Sequence, residues 1–219
     1  DNTILSQMGA MYVPVPGEPR KSRRLQAGET IPPYGEGMLV ITKPYFVLKE
    51  GVKASFEALD EMAFLDSGLP HSADLAGTMA EWYMTIAVEM RSQEHSEERR
   101  VSKVEVLRWA DEMVKRSPRH ADSYFRSAKL FWNMAYITKG KEQLEYAQKA
   151  VDAAERAISF APQSPPHWGL LSVQLKQYVD LLNAAGDTEK ADRMAIRLNE
   201  VDVQYSHLVT ERGRLGLSI

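Results

Sequence analysis

The chain has 219 residues, of which 44% are hydrophobic and 26% are charged, and its formal net charge is −3. These values exclude a fully disordered chain, because the apolar fraction is ordinary and charges of both signs are mixed. The chain contains no cysteine, which excludes disulfide scaffolds, thiolate zinc sites, iron–sulfur clusters and thiol nucleophiles. No stretch reaches the roughly 18 consecutive apolar residues that a membrane helix needs. The length allows one large domain or an array of repeats.

The sequence begins with Asp1 and carries no secretory signal pattern. A start without methionine is typical of a processed mature chain or of a cloned fragment, so a lost signal or anchor stays open as an alternative. The compartment therefore stays open, and we favour a bacterial periplasmic or membrane-associated location over a cytoplasmic one.

Residues 1–50 are predicted to form an extended, proline-rich arm. They hold six of the eleven prolines, namely Pro14, Pro16, Pro19, Pro32, Pro33 and Pro44. Because proline fixes φ and removes a hydrogen-bond donor, residues 13–19 and 31–34 are expected to be extended or turning. Residues 38–42 and 45–49 have the composition of short strands. Such a segment buries too little surface to fold alone, so we expect it to pack on its own domain or on a partner.

The arm also carries a compact basic cluster, Arg20, Lys21, Arg23 and Arg24. One hypothesis is contact with an anionic group, such as a phospholipid headgroup or an acidic partner. The alternative is a solvated loop, since no aromatic residues alternate with the charges as they do on nucleic-acid stacking surfaces. We expect no nucleic-acid partner.

From residue 51 onward the apolar residues recur at helical spacing, and residues 51–219 are predicted to form one helical domain with no strand. Breaks contain Ser-Pro at 117–118, Lys-Gly at 139–140, Ala-Pro at 161–162 and Gly-Asp at 186–187. Short breaks between long helices predict antiparallel neighbours. The predicted helices span residues 52–66, 72–92, 98–116, 121–139, 141–160, 166–185 and 188–212.

The helical domain contains an internal repeat. Residues 70–74 (Pro-His-Ser-Ala-Asp) match residues 118–122 (Pro-Arg-His-Ala-Asp) at an offset of 48, and a third copy begins at Pro162, at an offset of 44. A small residue lies at the same place in each copy, namely Ala80, Ala128 and Ser172, and is followed by a larger one, namely Tyr83, Phe131 and Leu175. A small side chain allows another helix to approach closely. One helix pair cannot bury both of its faces, so the copies are expected to stack.

The repeat resembles the tetratricopeptide repeat family. Residues 147–162 are similar to the family's second helix, with small residues at Ala147, Ala150, Ala154 and Ala157 before the closing Ala161-Pro162. Residues 186–191 are similar to its turn, and Tyr124 and Trp168 occupy its aromatic position in the first helix. The resemblance implies an all-α, TPR-like solenoid of about three antiparallel helix pairs, preceded by the arm.

The period differs from that of the family. It is 44–48 residues here, whereas the family unit has roughly 34. We therefore identify a divergent member with long helices, and a helical array of another superfamily stays open as an alternative.

The resemblance implies protein–protein recognition in a groove lined by the first helix of each pair. Carried over by position, the groove-facing residues are Asp122, Phe125, Lys129, Trp132, Asn133, Pro166, Gly169, Val173, Lys176 and Gln177. In the first repeat the corresponding positions are Asp74, Gly77, Glu81, Met84 and Thr85. Trp132 beside Lys129 has the composition of a binding hot spot. The alternative is that Trp132 packs on a neighbouring helix or on the arm.

The sequence offers no constellation for chemistry. The five histidines show no His-x-x-x-His pair, and neither a phosphate-binding loop nor a nucleophile-elbow motif occurs. We therefore predict no catalytic residue, no metal and no cofactor. The first hypothesis is a non-enzymatic scaffold whose groove and arm bind a partner peptide, helix or complex subunit. The second is a soluble accessory subunit, or the water-facing domain, of a bacterial membrane-bound assembly such as an envelope polysaccharide polymerase. An enzyme is the third, and the oligomeric state stays open.

Overall fold

The computed structural model describes residues 9–15, 18–24, 38–41, 52–69, 71–89 and 96–215. The chain divides into two compact units, Asp1–Arg116 and Ser117–Ile219. The boundary falls in the Ser-Pro break at 117–118, inside the segment assigned to one helical domain from the sequence.

Within the described residues the helical region holds seven α-helices and no strand. Each helix agrees with its predicted span to within three residues at either end, so the all-α class of this region is confirmed. The helices are α1 (Val52–Gly68), α2 (Ala73–Glu89), α3 (Ser96–Arg116), α4 (Ala121–Ile137), α5 (Gly140–Phe160), α6 (Pro165–Ala184) and α7 (Thr188–Arg214).

The arm contributes a small antiparallel sheet that the sequence analysis did not predict as such. Its strands are β1 (Gly9–Val15), β2 (Glu18–Arg24) and β3 (Met38–Ile41), in the order β2-β1-β3. The strand-like run at 38–42 coincides with β3, whereas the run at 45–49 lies outside the described residues. In this unit β1 lies beside α1.

Turn residues explain where the helices end. Pro118 and Pro162 both lie in the turns before α4 and α6, where no helical N–H is needed. Gly186 has φ of 80°, and the N–H of the following Asp187 donates to the carbonyl of Leu182 at 3.0 Å. This is the Schellman arrangement that terminates helices at glycine. The Asp187 carboxylate then accepts from the backbone of Lys190 and caps α7.

In the first unit a buried ion pair joins α1 to α3. The guanidinium of Arg116 donates to both carboxylate oxygens of Asp66, at 2.5 and 2.9 Å. It also donates to the carbonyl of Ser72 at 3.2 Å and to Glu112 at 3.0 Å. The Arg116 and Asp66 side chains are 8% and 13% exposed. One side chain therefore fixes the end of α1, the start of α2 and the end of α3.

In the second unit α6 and α7 run antiparallel. Residues late in α6 contact residues early in α7, and earlier ones contact later ones. The Lys190 ammonium lies over the face of the Tyr178 ring, and the Ser172 hydroxyl donates to Asp202. Closer to the start of α6, a β-carbon at Gly169 would lie 3.3 Å from the ring of Tyr205, so a larger residue here would require that ring to move by a few tenths of an ångström. The core that the four helices share is apolar, and its buried members include Ala128, Ala135, Ala147, Val151, Ala154, Ile158, Leu171, Leu175, Tyr178, Leu182 and Val201.

The repeated aromatic position makes the same contact twice. The Tyr124 hydroxyl donates to the carbonyl of Pro118 at 3.0 Å, and the Trp168 indole N–H donates to the carbonyl of Pro162 at 2.8 Å. Both rings thus tie the first turn of a helix to the proline six residues earlier. Ser172 departs from its predicted role as a close-packing residue, since it is only half-buried and is hydrogen-bonded to α7.

Candidate functional site

The first helices of the two pairs in the second unit, α4 and α6, lie side by side. The Gln174 amide, buried on α6, donates to the backbone carbonyl of Ala128 on α4 at 3.0 Å. Ala128 is fully buried, so this hydrogen bond lies in the interior beneath the two helices. The outward faces of α4 and α6 therefore form one continuous surface, which we call the α4–α6 face.

Of the residues assigned to the groove in these two repeats, Gly169 faces the Tyr205 ring on α7. The rest lie on the outward faces of α4 and α6, where Pro166 is exposed and none is fully buried. Phe125 and Trp132 are half-buried, whereas Val173 is 54% exposed. The others are exposed, namely Asp122, Lys129, Asn133, Lys176 and Gln177. In the first unit Gly77 and Met84 are buried, so these two positions of the predicted groove are wrong: the Met84 side chain belongs to the core. Asp74 and Glu81 of the same set are exposed, and Thr85 is half-buried.

The structure brings Trp132 and Gln177 together at an open cavity of about 330 Å³. Three helices contribute to it, because the two-residue connection from α4 to α5 places the start of α5 next to the end of α4. The cavity is lined by Trp132, Ala135, Tyr136, Gln143, Gln177, Asp180 and Leu181.

Sequence reasoning missed five of these seven lining residues. One of them, Ala135, is a buried core residue. Tyr136 lies one turn after Trp132, and Asp180 and Leu181 lie one turn after the Lys176-Gln177 pair, so helical periodicity could have found them. Gln143 belongs to α5, which the repeat pattern assigned to the other layer, and no local signal pointed to it. Asn133 and Lys176 are exposed on the face but do not line the cavity.

A second cluster lies on the same face, toward the start of the two helices. The ammonium of Lys129 lies 4.2 Å from the centre of the Phe125 ring, and that ring lies 4.7 Å from the imidazole of His167. The imidazole Nδ1 is 2.5 Å from the Ser164 hydroxyl, whereas its Nε2 is buried and has no hydrogen-bond partner among the described residues. His167 is thus a packing residue between α4 and α6, which the sequence analysis did not single out.

Burial lowers the pKa of His167 below its usual value of 6.5, the nearby Asp122 carboxylate raises it, and the Lys129 ammonium lowers it. We expect the pKa of His167, measured by NMR titration of its Cε1 proton, to fall further in Asp122→Asn and to rise in Lys129→Gln. Because the neutral form is favoured in the folded state, stability is complete above pH 6.5 and decreases as the pH falls toward the lower folded-state pKa. Shifts of the same sign in both variants would contradict this placement of the charges.

The basic cluster of the arm does not lie in a loop. Arg20, Lys21, Arg23 and Arg24 belong to β2, where Arg23 pairs with Val13 and is exposed. The side chains of the other three lie outside the part of the chain that the structure describes.

Two further features were sought among the described residues. Among them, no group of three or more histidine or carboxylate side chains could hold a metal ion. In the same part of the chain, no helix has the length and apolar character needed to cross a membrane. A scan against protein-family models gave no match, and a search of curated proteins gave no significant match. The α4–α6 face is therefore interpreted from its own geometry.

Proposed function

We propose that this protein is a non-enzymatic recognition module that binds a peptide or helical segment of a partner protein on the α4–α6 face. The proposal extends the resemblance to tetratricopeptide repeats, in which the first helices of successive pairs form the binding surface. The observation that carries it is the cavity, which contains both a half-buried tryptophan and a highly exposed tyrosine, Trp132 and Tyr136.

The composition of the face supports this proposal. Tyr136 is 69% exposed, although burying an aromatic ring of this kind removes a large apolar area from water. Aromatic residues near the centre of a surface, surrounded by polar groups, are typical of protein-binding hot spots. Gln177 supplies a polar group in the lining of the cavity, and Asn133 and Lys176 are exposed polar residues elsewhere on the same face. The arm, with its basic cluster on β2, is proposed as a further contact with an acidic group.

Trp132→Ala is expected to weaken peptide binding by about 30-fold, the loss that corresponds to a hot spot of about 2 kcal/mol. The measurement begins with selection of peptides from a displayed random library on the full-length chain. The affinity of the selected peptides is then determined by calorimetry for wild type and variant. The reason is that the indole forms one wall of the cavity, so its removal takes away the aromatic contact.

Two further variants distinguish loss of a binding contact in the cavity from a general effect on the fold or the surface. Because Trp132 is half-buried, its loss also affects packing, so Tyr136→Ala, at a highly exposed ring, is expected to weaken the same peptides without unfolding the chain. Ile196→Ala removes an exposed apolar side chain on α7, away from the cavity, and is expected to leave their affinity unchanged. Peptides that bind Trp132→Ala and Tyr136→Ala as tightly as wild type would overturn the proposed site.

A further inference from the structure

The cavity on the α4–α6 face contains a carboxylate that no cation of the described residues neutralises. Asp180 is the one charged residue among the described side chains that line the cavity. Within the described part of the chain its carboxylate makes no ion pair and no hydrogen bond. Lys176 lies one turn earlier on α6, but a lysine four residues before an acidic residue has the less favourable orientation for a helical ion pair. The cavity is therefore negatively charged.

The remaining walls also favour a positively charged group. The faces of tryptophan and tyrosine rings attract cations through their quadrupoles, and tryptophan does so most strongly. Gln143 and Gln177 add two amide groups whose oxygens accept hydrogen bonds. Aromatic faces, a carboxylate and amide oxygens are together the chemistry that recognises a cation carrying several N–H donors.

We propose that the cavity binds an arginine side chain of the partner segment. This inference rests on the proposed function and names the group that the site recognises. A planar guanidinium can stack on the indole of Trp132 while it donates two parallel hydrogen bonds to Asp180, which a lysine ammonium cannot do in the same geometry. The volume of about 330 Å³ is large enough to admit a guanidinium group together with part of its aliphatic stem.

The test uses the peptides selected on the full-length chain. We expect those that depend on Trp132 to share an arginine, and we expect replacement of that arginine by its neutral isostere citrulline to weaken binding at least about tenfold, as for a charged hydrogen bond. Asp180→Asn keeps the shape of the cavity and removes its charge, so the arginine and citrulline peptides should bind this variant with affinities within about twofold to threefold. The matched control Asp192→Asn removes an exposed carboxylate of α7 that does not line the cavity and should retain the full difference.

The outcomes separate this inference from the proposed function. Peptides that need Trp132 but share no arginine, or whose preference for arginine over citrulline persists in Asp180→Asn, would overturn the arginine pocket and leave the binding face in place. If no selected peptide depends on Trp132 or Tyr136, both proposals fail.

Discussion

Replacing Arg116 by methionine is expected to lower the free energy of unfolding by about 3 kcal/mol, because it leaves the buried Asp66 carboxylate without a partner. The pair is bidentate, and its two side chains are almost inaccessible. The carbonyl of Ser72 would keep the backbone N–H of Ala76 as a donor but lose the guanidinium, so three elements of the first unit lose one shared anchor. The measurement is urea denaturation of the full-length chain, followed by circular dichroism.

The neighbouring residue supplies a matched control. Lys115 forms an exposed ion pair with Asp111, and both side chains are 64% exposed. Solvent screens such a pair, so Lys115→Met should change stability little. The double variant Arg116→Met with Asp66→Leu should recover most of the loss, because a buried ion pair is replaced by apolar groups. If Arg116→Met and Lys115→Met lowered the free energy of unfolding equally, the burial of the Arg116–Asp66 pair would be contradicted.

Leu175→Ala is expected to destabilise the protein by about 3 kcal/mol, since it empties a fully buried position in the core of the second unit. Val173, two residues earlier on the same helix, faces solvent on the α4–α6 face, and Val173→Ala should change stability by less than about 0.5 kcal/mol. Chemical denaturation of the two variants measures this difference in stability. If Val173 contacts the bound peptide, Val173→Ala should weaken peptide binding more than Leu175→Ala does. Similar denaturation midpoints for the two variants would contradict the burial of Leu175 and the exposure of Val173 on α6.

The positions of the helices could be predicted because the residues that end them act locally. Pro118, Pro162 and Gly186 each determine a turn through their own backbone conformation, and the regular recurrence of alanine indicated which sides of the helices are buried. Ala80 and Ala128 are indeed fully buried. The sequence therefore located the helices and two of the three predicted buried small residues, Ser172 being the exception, without any long-range information.

Contacts between distant residues could not be predicted in this way. Arg116 and Asp66 are 50 residues apart, and nothing in either local sequence indicates the other. The cavity depends similarly on Gln143, because only the packing of α5 against α4 places it near Asp180. The sheet of the arm depends on the pairing of β1 with β3 across more than twenty intervening residues, and proline content alone predicted only an extended chain.

The cavity has a consequence for thermodynamic linkage. Its walls come from α4, α5 and α6, so it exists only while all three helices are packed, and the unfolded chain offers no equivalent arrangement of Trp132, Gln143 and Asp180. A molecule bound there stabilises the folded state by mass action, by about 2.7 kcal/mol at a free concentration of 100 times its Kd. An increase in melting temperature therefore reports occupancy of the cavity even when the ligand has no spectroscopic signal and the protein has no catalytic activity to inhibit.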